Sequence, residues 1–497
     1  MKRLRIFLAS VGHRTFRYPP LSPPLGILSL AAYLRDRFTH SGGETPAGLD
    51  FALLDQHAVN CANDVVIRRA VDFDPDIVGL RVITPGAYLL PELTRGLRRA
   101  LPKALMLIGG PHVSAFAARA MVNIEADAAV VGEGERTFEA IVRAYLSGGG
   151  RHPVGLDGSG FDGIPGLIWR DPSGEVITNP GTLPLIEDLD TLPFPAYDLL
   201  DLAPYWKLRS MAPLPPRKYI ALLSSRGCPH HCMYCHQIFG KRFRAQSAER
   251  IVAEIEHWQR TFGVRDIEFL DDIFNQVPER VIQFSELLQK RGLKIKVAFP
   301  NALRCDTLTP EIVDALVAAG TCYSACALET GSPRLQKYIG KHLNIPRFLE
   351  GVELLARGGV LTHGYTMLGF PTETEAEMQM TIDVVCGSRL HTATFFTVTP
   401  YPNTELYDWA AKTCPEKLEN LSYADMDYAG IPVNLSTVPD EVLFAYQRKA
   451  FRSFYLNPRR MIRIARSYPR FCDLPRYLPE LALRLVKGLF SASRRNQ

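Results

Sequence analysis

Residues 226–236 read RGCPHHCMYCH and place Cys228, Cys232 and Cys235 in a C-x3-C-x2-C spacing. Thiolates are soft ligands, suited to zinc or to iron–sulfur clusters. A structural zinc site wants four protein ligands, and His230, His231 and His236 are near enough in sequence to supply one. A [4Fe–4S] cluster held by three cysteines instead leaves one iron without a protein ligand, open to a small molecule. Packing thiols with no ligand are a third reading. Tyr234, directly before the third cysteine, offers an aromatic ring on which an adenine could stack.

The elements that must position this loop form a β-α series from residue 217 onward. Strand-like runs are KYIALLSS (218–225), DIEFLDD (266–272), KIKVAFP (294–300), CYSACALE (322–329), VLTHGYTMLG (360–369) and TATFFTVTP (392–400). Between them SAERIVAEIEHWQRTFG puts Ile251, Ile255, Trp258 and Phe262 on one helical face, with Gly263 as the stop. Thr309 and Pro310 read as N-cap and first turn of the next helix, and TETE (372–375) as a capping box. Six parallel β-α units predict an open, partial barrel with function on the loops after the strands. The cysteines follow its first strand.

The N-terminal part also alternates: RLRIFLAS (3–10), DFALLDQ (50–56), DIVGLRVIT (76–84), ALMLIGG (104–110) and AAVVGEGE (128–135) are strand-like, with helical stretches between. Five such repeats predict an α/β, doubly wound parallel sheet. Ligands of such sheets lie outside the carboxyl ends of the strands. The predicted organisation is a sheet domain over 1–146, a linker with a small hairpin over 147–216, a barrel over 217–421 and a basic helical extension over 422–497.

The chain has 497 residues, too many for one core, with 46% hydrophobic and 22% charged residues as in ordinary globular proteins. There is no low-complexity segment, no solenoid repeat and no apolar run of about 20 residues that would span a membrane. The start, MKRLRIFLASVGHR, reads as a strand rather than a signal peptide. Ten cysteines spread through such a chain suit a reducing, cytoplasmic setting rather than a disulfide framework. The net charge of +5 divides unevenly: residues 448–497 carry +11 and the rest −6.

The spacing C-x3-C-x-aromatic-C after the first strand of a partial barrel resembles the radical S-adenosylmethionine superfamily, and the other strand ends agree. EFLDDIF (268–274) resembles the segment ending strand two in the cobalamin-dependent branch, which implies Asp271 and Asp272 near the methionine amino group. NALRCD (301–306) implies Arg304 at the methionine carboxylate, and ALETGS (327–332) implies Glu329 and Ser332 near the amino group or ribose. LGFPTET (368–374) resembles the element lining the adenosine, through Gly369 and Pro371. Cys305, Cys322 and Cys326 read as packing residues, and Cys61, Cys386, Cys414 and Cys472 carry no ligand spacing.

The N-terminal sheet lacks G-x-G-x-x-G after its first strand, which disfavours a dinucleotide. IGGPHVS (108–114) and VVGEGE (130–135), with DIVGLRVIT, are instead similar to the cobalamin-binding domain fused to many radical S-adenosylmethionine enzymes. That resemblance implies cobalamin near Arg81, Thr84, Gly109, Gly110, Pro111, His112, Gly132, Glu133, Gly134 and Glu135. DQHAVN (55–60) imitates the motif that supplies a histidine to cobalt, but it follows strand two and ends in Asn60. His57 is therefore rejected as a ligand, and no histidine-on cobalamin is expected. Arg81 stands where such domains often have serine; it either meets the corrin or pairs with an acid.

The resemblance implies a reduced cluster that cleaves S-adenosylmethionine to a 5′-deoxyadenosyl radical, hydrogen abstraction from an unactivated carbon, and methyl delivery from methylcobalamin. Methylation of a small, lipid-like or pigment molecule is the first expectation; ring formation or rearrangement with the same cofactors is the alternative. An external electron donor of flavodoxin or ferredoxin type is implied. A non-catalytic cobalamin or metal sensor with structural zinc is the reading from another class. The basic tail reads first as a helical cap on the barrel, next as a membrane-surface helix, and last as a nucleic-acid contact, since no binding module accompanies it.

Overall fold

The computed structural model describes residues 3–13, 22–40, 48–149, 160–419, 421–423 and 433–467. Its contacts divide into two compact units. One comprises Met1–Leu208, His236–Ala245 and Tyr423–Asp425; the other comprises Arg209–Cys235, Gln246–Ser422 and Met426–Gln497.

The first unit is a seven-stranded sheet. Its strands are β1 (Leu4–Val11), β2 (Leu49–Asp55), β3 (Ile77–Val82), β4 (Leu105–Gly109), β5 (Ala128–Val130), β6 (Leu167–Arg170) and β7 (Val176–Thr178), in the order β2-β1-β3-β4-β5-β6-β7. β1 to β5 pair in parallel, and apolar clusters cover both faces, which explains the unbroken Val/Ile/Leu runs. The helices are α1 (Leu25–His40), α2 (Gln56–Val59), α3 (Asn63–Phe73), α4 (Leu90–Ala100), α5 (Pro111–Phe116), α6 (Glu135–Ser147) and the short α7 (Ala203–Lys207). The expected hairpin differs from its sequence reading. It is no free connector: β6 pairs antiparallel with β5 and continues the sheet. A three-residue strand is a poor sheet edge, and the hairpin covers it.

In the second unit six parallel strands follow in chain order: β8 (Tyr219–Leu222), β9 (Asp266–Phe269), β10 (Lys296–Leu303), β11 (Thr321–Glu329), β12 (Leu361–Leu368) and β13 (Thr392–Thr397). This is the expected partial barrel. The helices that pack on it include α8 (Ala248–Phe262), α9 (Pro278–Lys290), α10 (Pro310–Ala318), α11 (Pro333–Tyr338), α12 (Ile345–Arg357) and α13 (Glu375–Gly387). Ile251, Ile255 and Trp258 are buried as the periodicity requires, and Gly263 ends α8 at φ +66°. Thr309 caps α10 through the Ile312 N–H.

The capping box of α13 sits two residues later than read: Thr374 and Glu377 form it, not Thr372 and Glu375. Thr372 is in the left-handed region at φ +62°, and Glu373 turns inward to accept the Gly369 and Phe370 N–H groups at 2.6 and 3.1 Å. The chain therefore starts the helix only at Thr374.

Beyond the barrel lie α14 (Glu405–Thr413), α15 (Pro415–Glu419), α16 (Asp440–Tyr455) and α17 (Pro458–Ser467). The part of the basic tail that is described docks on the barrel. Tyr455 Oη bonds both the N–H and the carbonyl of Ala393. The fully buried Arg460 donates to the Cys386 carbonyl in the last turn of α13 and to the Leu390 carbonyl beyond it, with its guanidinium 3.8 Å from the Phe454 ring centre. Residues 468–497 of the tail lie outside the described residues. Among the described residues no helix is long and apolar enough to cross a membrane.

Candidate functional site

The end of β8 runs into Ser224 and Ser225, then Arg226 and the cysteine loop. Asp271 fixes this run. Its carboxylate accepts the Ser224 N–H (2.7 Å) and the Ser224 and Ser225 hydroxyls (both 2.6 Å). Arg280 stands 3.8 Å away, and burial pushes the Asp271 carboxyl up. This carboxylate is already committed within the chain, as a clamp on the strand that presents the cysteines. Asp272 is half-buried beside it.

The three cysteines are half-buried, and none is in a disulfide. Cys235 N–H bonds the Cys232 carbonyl at 3.0 Å, which closes the turn between them. Two further backbone bonds pin the loop: Met233 N–H to the Ile339 carbonyl (3.0 Å) and Leu406 N–H to the Met233 carbonyl (2.8 Å). Tyr234 packs with its ring centre 5.8 Å from that of Phe370. Burial pushes its phenol well above the ordinary value, and it hydrogen-bonds Cys232. Burial also raises the Cys232 thiol, against the positive charges of Lys341 and Arg304. Among the described residues no three His, Cys, Asp or Glu side chains converge as a donor set for one metal ion. A cluster, with each thiolate on a different iron, does not require that convergence.

Arg304, Glu329 and Lys341 are linked to one another, and Gly340, next to Lys341, packs against His231 and Cys232 of the loop. Arg304 follows β10, and its Nε donates to Asp306 at 3.1 Å while Nη2 donates to the Lys341 carbonyl at 3.1 Å. Its backbone is held by Asn275, whose amide bonds both its N–H and its carbonyl at 3.0 Å. Glu329 ends β11 in the left-handed region at φ +66°, and Ala302 on β10 has φ +98°. Non-glycine residues in such conformations cost about 1–3 kcal/mol and cluster at functional sites. Glu329 pairs with Lys341 at 2.9 Å, both side chains about nine-tenths buried.

Ser332 is committed elsewhere: it caps α11 through the Leu335 N–H (3.2 Å) and donates to Glu377 at 2.7 Å. Arg334 also bonds Glu377, and these donors with Thr374 hold its carboxyl at about 2 although burial opposes them. Gly369 and the buried Pro371 lie in the turn closed by Glu373. Burial pushes the Glu373 carboxyl up to about 8, and its second oxygen has no hydrogen-bond partner. Asn275, Lys341 and Glu373 were not singled out in the sequence. Only the adjacency of Glu373 to the Gly-x-Pro turn gave any signal.

At the carboxyl ends of the first unit's strands, Arg81 donates to Ser10 at 3.1 Å and acts on Asp55, whose buried carboxyl is raised and bonded by Tyr205. Asp55 also caps the one-turn helix α2, so that His57 belongs to that turn after β2, and Asn60 closes it at φ +56°. Thr84 opens a short 3-10 turn after β3.

Gly109 ends β4, and Gly110 precedes Pro111 at the start of α5. Gly110 has φ +96°, and a Cβ there would lie 2.9 Å from Arg81 Cγ and 3.0 Å from the Val82 carbonyl oxygen. His112 rests its ring 4.4 Å from Phe116, and burial lowers it to about 4. Its Nδ1 is buried without a hydrogen-bond partner, so a polar ligand would satisfy it. Gly132 donates to Ser114 at 3.0 Å. Glu133 is buried in an ion pair with Arg244 and accepts the Ile186 N–H, so it braces the loop. Gly134 leads into α6, whose first residue is the buried Glu135.

Two family models match the chain: the radical SAM superfamily over residues 222–385 and the B12 binding domain over residues 16–142. An uncharacterized methyltransferase of Pyrococcus horikoshii is 30% identical over 446 residues, covering 89% of each chain. Cytidylyl-2-hydroxyethylphosphonate methyltransferase of Streptomyces wedmorensis is 25% identical over 69% of this chain and 68% of its own. Among solved structures, the cobalamin-dependent S-adenosylmethionine radical enzyme OxsB, with aqua-cobalamin and S-adenosylmethionine bound, superposes with a TM-score of 0.72. That match has 17% identity and covers 98% of this chain and 72% of the other.

Proposed function

The chain belongs to the cobalamin-dependent radical S-adenosylmethionine methyltransferases, and from that premise we propose how its own residues divide the work. When bound, the cluster supplies reductive cleavage of S-adenosylmethionine, and methylcobalamin supplies the methyl group for an unactivated carbon of a small molecule. Cys228, Cys232 and Cys235 hold the cluster. Arg304 meets the methionine carboxylate as a charged fork, the geometry that suits a planar anion. Glu329 receives the methionine ammonium, and Tyr234, Gly369 and Pro371 line the adenosine. Asp272 stands at the same strand-end rim.

The observation that carries this reading is the linkage of Arg304, Glu329 and Lys341, from three separate elements, beside the loop on which Gly340 packs. Asp271 and Ser332 act on the scaffold, the first by holding the cysteine strand and the second by starting α11. On the cobalamin side, Gly109, Gly110, Pro111 and His112 form the cradle, with Thr84, Gly132, Gly134 and Glu135 at its rim. No histidine binds cobalt, and Arg81 and Glu133 brace the surrounding loops.

A one-electron donor of flavodoxin or ferredoxin type serves the cluster. The free thiols suit a reducing cytoplasm. A peripheral membrane contact is carried by the tail. Exposed Leu456 and Ile462, beside Arg459 and Arg466, support it. Because residues 448–467 also pack the barrel, the test removes only 468–497 and, in a second variant, changes the exposed Leu456 and Ile462 to Ser, and measures sedimentation of each with anionic liposomes; binding unchanged in both rejects the contact.

The test of the whole reading is anaerobic reconstitution with reductant, cobalamin and S-adenosylmethionine bearing a deuterated methyl group. 5′-Deoxyadenosine together with deuterated methylcobalamin supports it. One zinc per chain and neither product overturns it.

A further inference from the structure

Lys341 is the one lysine among the described buried side chains, 8% exposed. A buried ammonium is costly and is kept where it has partners. One partner is Glu329, at 2.9 Å. The residues just before Lys341 pack on the cysteine loop. Gly340, at φ +68°, packs so tightly there that a Cβ would strike the His231 carbonyl oxygen and stand 3.8 Å from Cys232 Cα. The Ile339 carbonyl bonds Met233, and Arg304 anchors the Lys341 carbonyl. Three consecutive residues, 339–341, are thereby locked against the loop and its neighbours. Lys341 therefore follows directly on a residue packed against the backbone of His231 and Cys232.

We propose that Lys341 is a positioning residue that sets the reduction potential of the cluster and holds Glu329 in its left-handed conformation. The inference rests on the three cysteines holding a [4Fe–4S] cluster. Three thiolates give such a cluster net negative charge, and reduction adds one more. A fixed positive charge beside Cys232 favours the reduced state, and net charge near the sulfurs is one of the levers that set such potentials. Glu329 tempers the effect, because its carboxylate lies against the same ammonium.

The test is potentiometric titration of the reconstituted full chain, followed by the EPR signal of the reduced cluster. Lys341→Met shifts the midpoint potential to more negative values, Lys341→Arg leaves it near the wild-type value, and Glu329→Gln shifts it to more positive values. Iron and sulfide per chain are measured on each variant. If Lys341→Met fails to assemble a cluster, Lys341→Gln and Glu329→Gln carry the test. Potentials that do not move, or that move in the same direction in the lysine and glutamate variants, overturn the proposal. A wild-type chain that binds no iron overturns the cluster reading itself, a separate outcome.

Discussion

The carboxyl ends of the two sheets solve the same task with different materials. The barrel ends are crowded with charge, and each acid has a set of named partners: Asp271 on three serine donors, Glu329 on Lys341, Glu377 on Arg334. In the first unit the strand-end charges are set aside in contacts such as the Glu133–Arg244 pair, and the turn after β4 is built of Gly110 and Pro111 beside the unsatisfied Nδ1 of His112. The difference matches what each end has to hold. Thiolates and a charged amino acid moiety call for particular side chains in fixed places, whereas a large, mostly neutral macrocycle calls for backbone that leaves room.

If the comparison is right, the largest effects come from the barrel. Cys232→Ala loses the cluster and, with it, all 5′-deoxyadenosine formation, read by iron analysis and chromatography. Asp271→Ala takes the carboxylate from beside the buried Arg280 and leaves the Ser224 N–H and hydroxyl without their acceptor, and destabilises the second unit by about 3–5 kcal/mol in chemical denaturation. Arg304→Ala costs about 1 kcal/mol of stability but weakens S-adenosylmethionine binding by at least about tenfold, about 1.4 kcal/mol. A reversed order, with Asp271→Ala well folded and unable to bind, would move Asp271 from scaffold to ligand.

How much of this was legible in the sequence follows the same division. The cysteine loop, Arg304 and Glu329 stand at strand ends that hydrophobic runs mark clearly, so the sequence locates them. What each acid touches was not legible: Asp271 and Asp272 are adjacent and alike in the sequence, yet Asp271 is buried under serine donors and Asp272 is half-exposed. Lys341 and Asn275 act through partners 12 and 29 residues away, and no local pattern encodes such pairing. The capping box was misplaced because TETE repeats its own signal, and only the inward turn of Glu373 selects Thr374.

In the first unit the contrast of two adjacent glycines is sharper than either change alone. Gly110→Ala introduces a Cβ at φ +96° against Arg81 and Val82, and costs about 1–3 kcal/mol with cobalamin retention lowered. At Gly109 a Cβ meets nothing closer than 3.6 Å, so Gly109→Ala keeps stability within about 0.5 kcal/mol. Any cobalamin it loses then reports the space the ligand needs. Equal retention by both variants would mean that the cradle lies elsewhere.

A further effect is a pH slope. Glu373 is raised from 4.5 to about 8 by burial, so between those values the folded chain keeps a proton that the unfolded chain has lost. Stability therefore falls as pH rises through this window, by about 1.4 kcal/mol per pH unit from this group. Glu373→Gln keeps a neutral side chain and removes that share, measurable as urea midpoints between pH 5 and 8. A slope unchanged in the variant would show that Glu373 is ionised in the fold.

The central claim is that three cysteines hold a cluster with one iron open to S-adenosylmethionine. The most direct measurement is the EPR spectrum of the anaerobically reconstituted, reduced protein before and after that molecule is added. The account predicts about four irons per chain, a reduced-cluster signal that changes on addition, and no signal in Cys232→Ala. A signal indifferent to S-adenosylmethionine, or zinc in place of iron, would contradict it.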